Sequence, residues 1–137
     1  MKLVLDTNVL ISALFWQGTP HEILISIEKG TFALCITPVL LDELKDVLSR
    51  PKFSYRIKEC NTSREELLTA IIDVAELYPD RKIAPVIKDD LDDDCVLACA
   101  LTSGAQYIIT GDPHLLKLKD WSGILIMTPP QFLDLIE

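Results

Sequence analysis

Short apolar runs of strand length alternate with capped runs of helix length along this 137-residue chain. That alternation restricts the fold to an α/β arrangement, with a central parallel sheet and helices on both faces. A buried first strand is predicted over Lys2–Leu5, with Asp6 at its end. Thr19-Pro20-His21-Glu22 supplies an N-cap, a proline at the first helical position and a capping-box acid. The helix so opened runs to about Lys29, where Gly30 ends it. Phe32–Ile36 reads as the second strand, and Thr37-Pro38 repeats the cap-and-proline signal for a helix to about Ser49. A polar, basic stretch, Arg50–Glu59, follows. Thr62 with Glu65, or Ser63 with Glu66, then opens a helix to about Leu77. Pro79–Lys88 reads as irregular, with a short strand expected near Val86. Beyond it come a helix from about Asp93 to Ser103, a strand over Gln106–Thr110, a helical turn around Leu115 and a strand over Ile124–Met127. Thr128-Pro129-Pro130-Gln131 opens the last helix. No repeat or linker divides the sequence, so residues 1–137 are expected to form one domain.

Apolar residues make up 49% of the chain, enough for a sizeable core, and no apolar run reaches the roughly 18 residues of a membrane span. Lys2 and Asp6 interrupt the N-terminal apolar stretch, which lacks a small-residue cleavage site. A soluble, cytoplasmic protein is the expectation. Cys35, Cys60, Cys95 and Cys99 form no C-x-x-C pair and only two histidines accompany them, so reduced, buried thiols are expected rather than a zinc or redox centre. Thirteen basic against 21 acidic residues leave a net charge of −8, which excludes a broadly basic nucleic-acid binder. The acids are focused: Asp89, Asp90, Asp92, Asp93 and Asp94 crowd five of six consecutive positions. Such a run is either a solvated loop or a cation site.

In a parallel α/β sheet, ligands gather outside the carboxyl ends of the strands. Asp6 ends the first predicted strand, Asp112 follows a later one after Thr110 and Gly111, and Asp93 stands where an apolar helix begins, so all three belong at that edge. On the second predicted helix, Leu40, Leu44, Val47 and Leu48 form the buried stripe. Asp42 and Asp46 point away from it, whereas Glu43 lies at its border. Each acid also has a purely structural reading: Asp6 as an N-cap, Asp93 as a favourable first-turn charge, Asp112 in a Gly-Asp-Pro turn and Glu43 as an exposed helix former. Four carboxylates together without a basic partner would repel one another, and hard divalent cations such as Mg²⁺ or Mn²⁺ would relieve that repulsion.

Four segments carry a family resemblance: VLDTNVLISAL (4–14), TPVLLDELKDVLSRPKF (37–53), DLDDDCVLACALTSGAQYIITGDPHLL (90–116) and TPPQFL (128–133). Together they resemble the PIN-domain proteins, in the group of toxins from toxin–antitoxin pairs. The resemblance implies a Rossmann-like three-layer α/β/α fold and a Mg²⁺- or Mn²⁺-dependent ribonuclease acting on single-stranded RNA. It also implies an antitoxin partner and a homodimer. It places the family's metal-binding and catalytic acids on Asp6, Glu43, Asp93 and Asp112, with Asn8 and Thr110 in support. Asp90 and Asp94 flank Asp93 and are alternative ligands. Leu91 stands where relatives often carry proline, and Pro113-His114 where a charged pair is commoner, with His114 read as a turn residue that has a second reading in substrate binding.

For RNA contact, Lys45, Arg50, Lys52, Arg56 and Lys58 form a local excess of positive charge, with Phe53 and Tyr55 interleaved. The bland alternative is a solvated stretch whose aromatics cap the core; Trp16 reads as core or dimer contact. Two other functions compete with a nuclease. One is the same fold acting only as an RNA- or protein-binding module. The other is a phosphatase using Asp6 as nucleophile, against which Asn8 occupies the second acid of the D-x-D spacing.

Overall fold

The apolar runs pair as the alternation requires. A computed structural model of the chain, describing residues 1–87 and 90–137, contains a six-stranded sheet flanked by helices in three layers. Asp89, the first acid of the crowded run, lies outside the described residues. The first half comprises β1 (Lys2–Leu5), α1 (Thr7–Phe15), α2 (Thr19–Glu28), β2 (Ala33–Ile36), α3 (Pro38–Leu48), α4 (Pro51–Glu59), α5 (Arg64–Val74) and β3 (Ala75–Leu77). The second half comprises α6 (Leu91–Ser103), β4 (Tyr107–Ile109), α7 (Pro113–Leu116), β5 (Asp120–Trp121), β6 (Ile124–Met127) and α8 (Pro129–Ile136).

The strand order is β3-β2-β1-β4-β6-β5. The chain winds outward from β1 to β3, then returns to the other side of β1 as β4, which makes the β1/β4 boundary a topological switch point. There Leu5 pairs with Ile109 in parallel, and the Asp6 N–H donates to the Ile109 carbonyl at 3.2 Å. All strand pairs are parallel except β5 with β6, which is antiparallel. The central sheet is thus parallel as expected, and its one antiparallel edge is a two-residue strand that folds back on β6.

Other departures have local causes. The helix expected to continue to Leu77 stops at Val74, and Ala75–Leu77 becomes the edge strand instead of the segment near Val86. Ala75, Glu76 and Leu77 pair with Leu34, Cys35 and Ile36, so the open edge of β2 overrides a local preference for helix. The basic stretch beginning at Pro51 is helical, with that proline in its first turn. α2 is capped by Gly18 rather than Thr19, with φ at 146°, a conformation open to glycine. Ser63 and Thr128 cap as expected: the Ser63 hydroxyl accepts from Glu66 N–H at 3.1 Å, and Thr128 forms a reciprocal capping box with Gln131. Among the described residues, no helix is long and apolar enough to cross a membrane.

The core is continuous across both faces of the sheet, and α6 packs over β1, β2 and β4. Phe132 of α8 is fully buried, edge-on to Phe32 and Tyr107 with ring centroids 5.1 and 5.2 Å away. Phe132→Ala should reduce unfolding free energy by about 3–5 kcal/mol in urea titrations. A loss below about 1 kcal/mol would mean that α8 does not anchor this side of the core.

Candidate metal centre

The acids converge on a cleft at the switch point, lined by Asp6, Thr7, Asn8, Glu43, Asp90, Asp92, Asp93, Val96 and Asp112. Asp6 caps α1: its Oδ1 accepts from Val9 N–H at 3.0 Å and its Oδ2 accepts from the Thr110 hydroxyl. Thr110 in turn accepts the Asp112 N–H at 2.9 Å, so one buried hydroxyl ties the acids following β1 and β4 together. Burial raises the Asp6 pKa; the Thr110 and Val9 donors pull it back, and the Asp112 charge adds a smaller upward push.

Asp93 occupies the first turn of α6 and is 6% exposed. Its N–H donates to Asp90 Oδ1 at 3.1 Å, which makes Asp90 the helix cap. Its own Oδ2 is buried without a hydrogen-bond partner among the described residues. Burial, together with the neighbouring Asp112 and Asp90, pushes the Asp93 carboxyl up to about 8. Asp112 caps α7 through the His114 N–H at 2.8 Å, and His114 Nδ1 lies 3.5 Å from Asp112 Oδ1 and 3.9 Å from Asp93 Oδ2.

Asp90, Asp93, Asp112 and His114 each present one donor atom, all within 4.8 Å of one another. Asp6 and Glu43 line the same cleft outside that tight group. Glu43 is half-buried, as the helical wheel required, and Asp42 and Asp46 are exposed. Burial raises the Glu43 pKa, the Asp92 charge adds to it, and the Thr7 hydroxyl opposes both. Asn8 is exposed at the cleft wall. Asp94 turns the other way: its Oδ1 accepts from Val86 and Ile87 N–H at 3.2 and 3.0 Å and clamps the preceding loop. His114 lies in the helical turn expected from the sequence, and that turn also brings its imidazole into the acid group, two residues after the cap Asp112. An orphaned buried carboxylate oxygen among further carboxylates is a donor set that fits a divalent cation.

The basic stretch lies elsewhere. Phe53 stacks on Phe15 at the C-terminal end of α1, about 14 Å along that helix from Asp6 at 1.5 Å per residue. The Arg56 guanidinium donates to the Phe15 carbonyl, pairs with Glu59 and sits 5.4 Å from the Trp16 ring centroid. Arg56 thus fastens α4 to α1. Arg50 pairs loosely with Asp46 at 3.6 Å, Lys52 lies over the Phe53 ring, and Lys58 and Tyr55 are exposed. All four cysteines are free. Cys35 and Cys99 are buried and Cys95 partly so, but Cys60, at the C-terminus of α4, is exposed, contrary to the expected burial.

The PIN domain family model matches residues 2–114. The chain belongs to the PIN-domain family. A relative, the uncharacterized protein MJ1680 of Methanocaldococcus jannaschii, is 31% identical over 146 residues, covering 100% of this chain and 92% of that protein. Among solved structures, VapBC2 from Rickettsia felis, bound to a DNA fragment from its promoter, superposes with a TM-score of 0.60 at 14% identity, covering 92% of this chain and 97% of that one. PAE2754 from Pyrobaculum aerophilum gives 0.52 at 14% identity, covering 99% and 90%. At that identity the two structures establish the fold shared by this PIN domain.

Because Asp93 binds its proton more tightly in the folded than in the unfolded chain, its contribution to stability is full below about pH 4 and lost as pH rises toward 8. In EDTA, the PIN domain should therefore lose stability from pH 5 to 8, and Asp93→Asn should flatten that decline. Thermal denaturation of both proteins at pH 5, 6.5 and 8 checks this; parallel profiles would show that Asp93 ionises normally.

Proposed function

We propose that this PIN-domain protein is a divalent-metal-dependent endoribonuclease hydrolysing phosphodiester bonds of single-stranded RNA. The observation that carries this reading is the unpartnered Asp93 Oδ2, buried among Asp90 and Asp112 in the cleft that Asp6 and Glu43 also line. Asp6, Asp93 and Asp112, with Asp90, would hold Mg²⁺ or Mn²⁺, and Thr110 fixes the spacing of Asp6 to Asp112. The bound cation would lower the pKa of a water and neutralise charge at the scissile phosphate. Glu43, at the cleft wall with its proton affinity raised by burial, orients the attacking water and accepts its proton on the carboxylate. Lys52 and Lys58 on α4, with Arg50 at its cap, contact phosphates along the strand, and exposed Tyr55 offers a stacking face. Arg56 positions that helix. The likeness to VapBC2 supports a toxin held by an antitoxin.

Wild-type protein should cut a mixed single-stranded RNA with Mn²⁺ or Mg²⁺ and not with EDTA, and Asp93→Asn should lower the rate by about two orders of magnitude or more. Absence of cutting by the folded wild type would favour a binding module instead. Replacing Arg50, Lys52 and Lys58 together by Ala should weaken RNA binding and reduce its log–log salt slope by about 2, at roughly 0.7 per lost phosphate contact. An unchanged slope would move the RNA to another face.

A further inference from the structure

We propose that His114 is a nitrogen ligand of the cation held by Asp90, Asp93 and Asp112, and that this mixed oxygen–nitrogen set selects transition-metal ions such as Mn²⁺ or Co²⁺ over Mg²⁺. The inference rests on the reading that the cleft is a metal centre, and it adds a ligand and a metal class to it.

Two observations support it independently. The first is the orphaned Asp93 Oδ2, a buried acceptor aimed into the cleft with no protein donor among the described residues. The second is the placement of the imidazole. His114 Nδ1 stands 3.9 Å from that oxygen and 3.5 Å from Asp112 Oδ1, too far for hydrogen bonds. Ligands about 2.1 Å from one ion lie roughly 3.0 Å apart at right angles, 3.4 Å at the tetrahedral angle and 4.2 Å when opposite. The two His114 separations fall within that range. The His114 backbone N–H is bound to the Asp112 carboxylate, which keeps the base of this side chain beside that acid. The ring is also 65% exposed, so it reaches the ion from the solvent side without the loss of hydration that burial of the carboxylates entails. Carboxylate oxygens alone suit Mg²⁺, whereas imidazole nitrogen favours later first-row ions.

The test uses the full chain freed of metal. Pulsed electron paramagnetic resonance of the Mn²⁺-loaded wild type should show coupling to a ¹⁴N nucleus, and His114→Ala should abolish it. Calorimetric titration should show the Mn²⁺ Kd rising about tenfold or more in His114→Ala, with the Mg²⁺ Kd changing less than about threefold. Absence of ¹⁴N coupling in the wild type would overturn the proposal without any variant. So would equal effects on both ions, the signature of a histidine that merely pairs with Asp112. Mn²⁺ binding with ¹⁴N coupling but no RNA cleavage would sink the nuclease reading alone. Failure of the wild type to bind Mn²⁺ would remove both the ligand and the metal centre.

Discussion

Several carboxylates gathered in one partly buried cleft oppose folding through desolvation and mutual repulsion. The structure meets that opposition with helix beginnings. Asp6, Asp90 and Asp112 each cap a helical segment, and each accepts a backbone N–H that would otherwise lack a partner. α1 and α6 also direct the positive ends of their dipoles toward the cleft. The acids are thus held by groups that the parallel α/β architecture supplies at this edge. Asp93 is the exception: its N–H is used, its Oδ2 has no partner among the described residues, and its proton is retained to an unusually high pH. That oxygen is an exception to the rule of satisfied buried groups, and it lies in the cleft.

The sequence shows where the acids go more clearly than how the chain gets there. β1, β2, β4 and β6 are short apolar runs next to turn residues, and their pairing follows from the alternation with helices. Glu43 was legible because a helical wheel needs only the spacing of Leu40, Leu44, Val47 and Leu48. β3 was not, because Ala-Glu-Leu favours helix in isolation and becomes a strand only against the open edge of β2. α1 gives almost no periodic signal, since six of its nine residues are buried. At the site, the run of aspartates could be read as a cluster, but not its division of labour. Asp90 caps, Asp93 faces the cleft and Asp94 clamps the loop, an allocation that depends on where α6 begins.

The positive charge is organised by a similar economy. In a chain of net charge −8, α4 gathers Lys52, Arg56 and Lys58, with Arg50 at its cap. Arg56 is committed to the Phe15 carbonyl and Glu59, with Trp16 against its guanidinium, while Arg50 pairs loosely with Asp46, Lys52 lies over the Phe53 ring and Lys58 is exposed. α1 therefore links two regions of opposite sign: its first turn is capped by a cleft carboxylate and its last residue anchors the basic helix.

The opposed facings of Asp93 and Asp94 constrain how this gene can drift. Adjacent helical positions are separated by about 100°, so losing a single codon between the Asp90 cap and Asp93 would turn the clamp Asp94 into the cleft, and gaining one there would turn Asp93 onto the loop. Length variation is open in the irregular stretch before Val86, where no helical phase must be kept. The opening turn of α6 is therefore a counted length as much as a set of residues, because every facing in it is measured from the Asp90 cap.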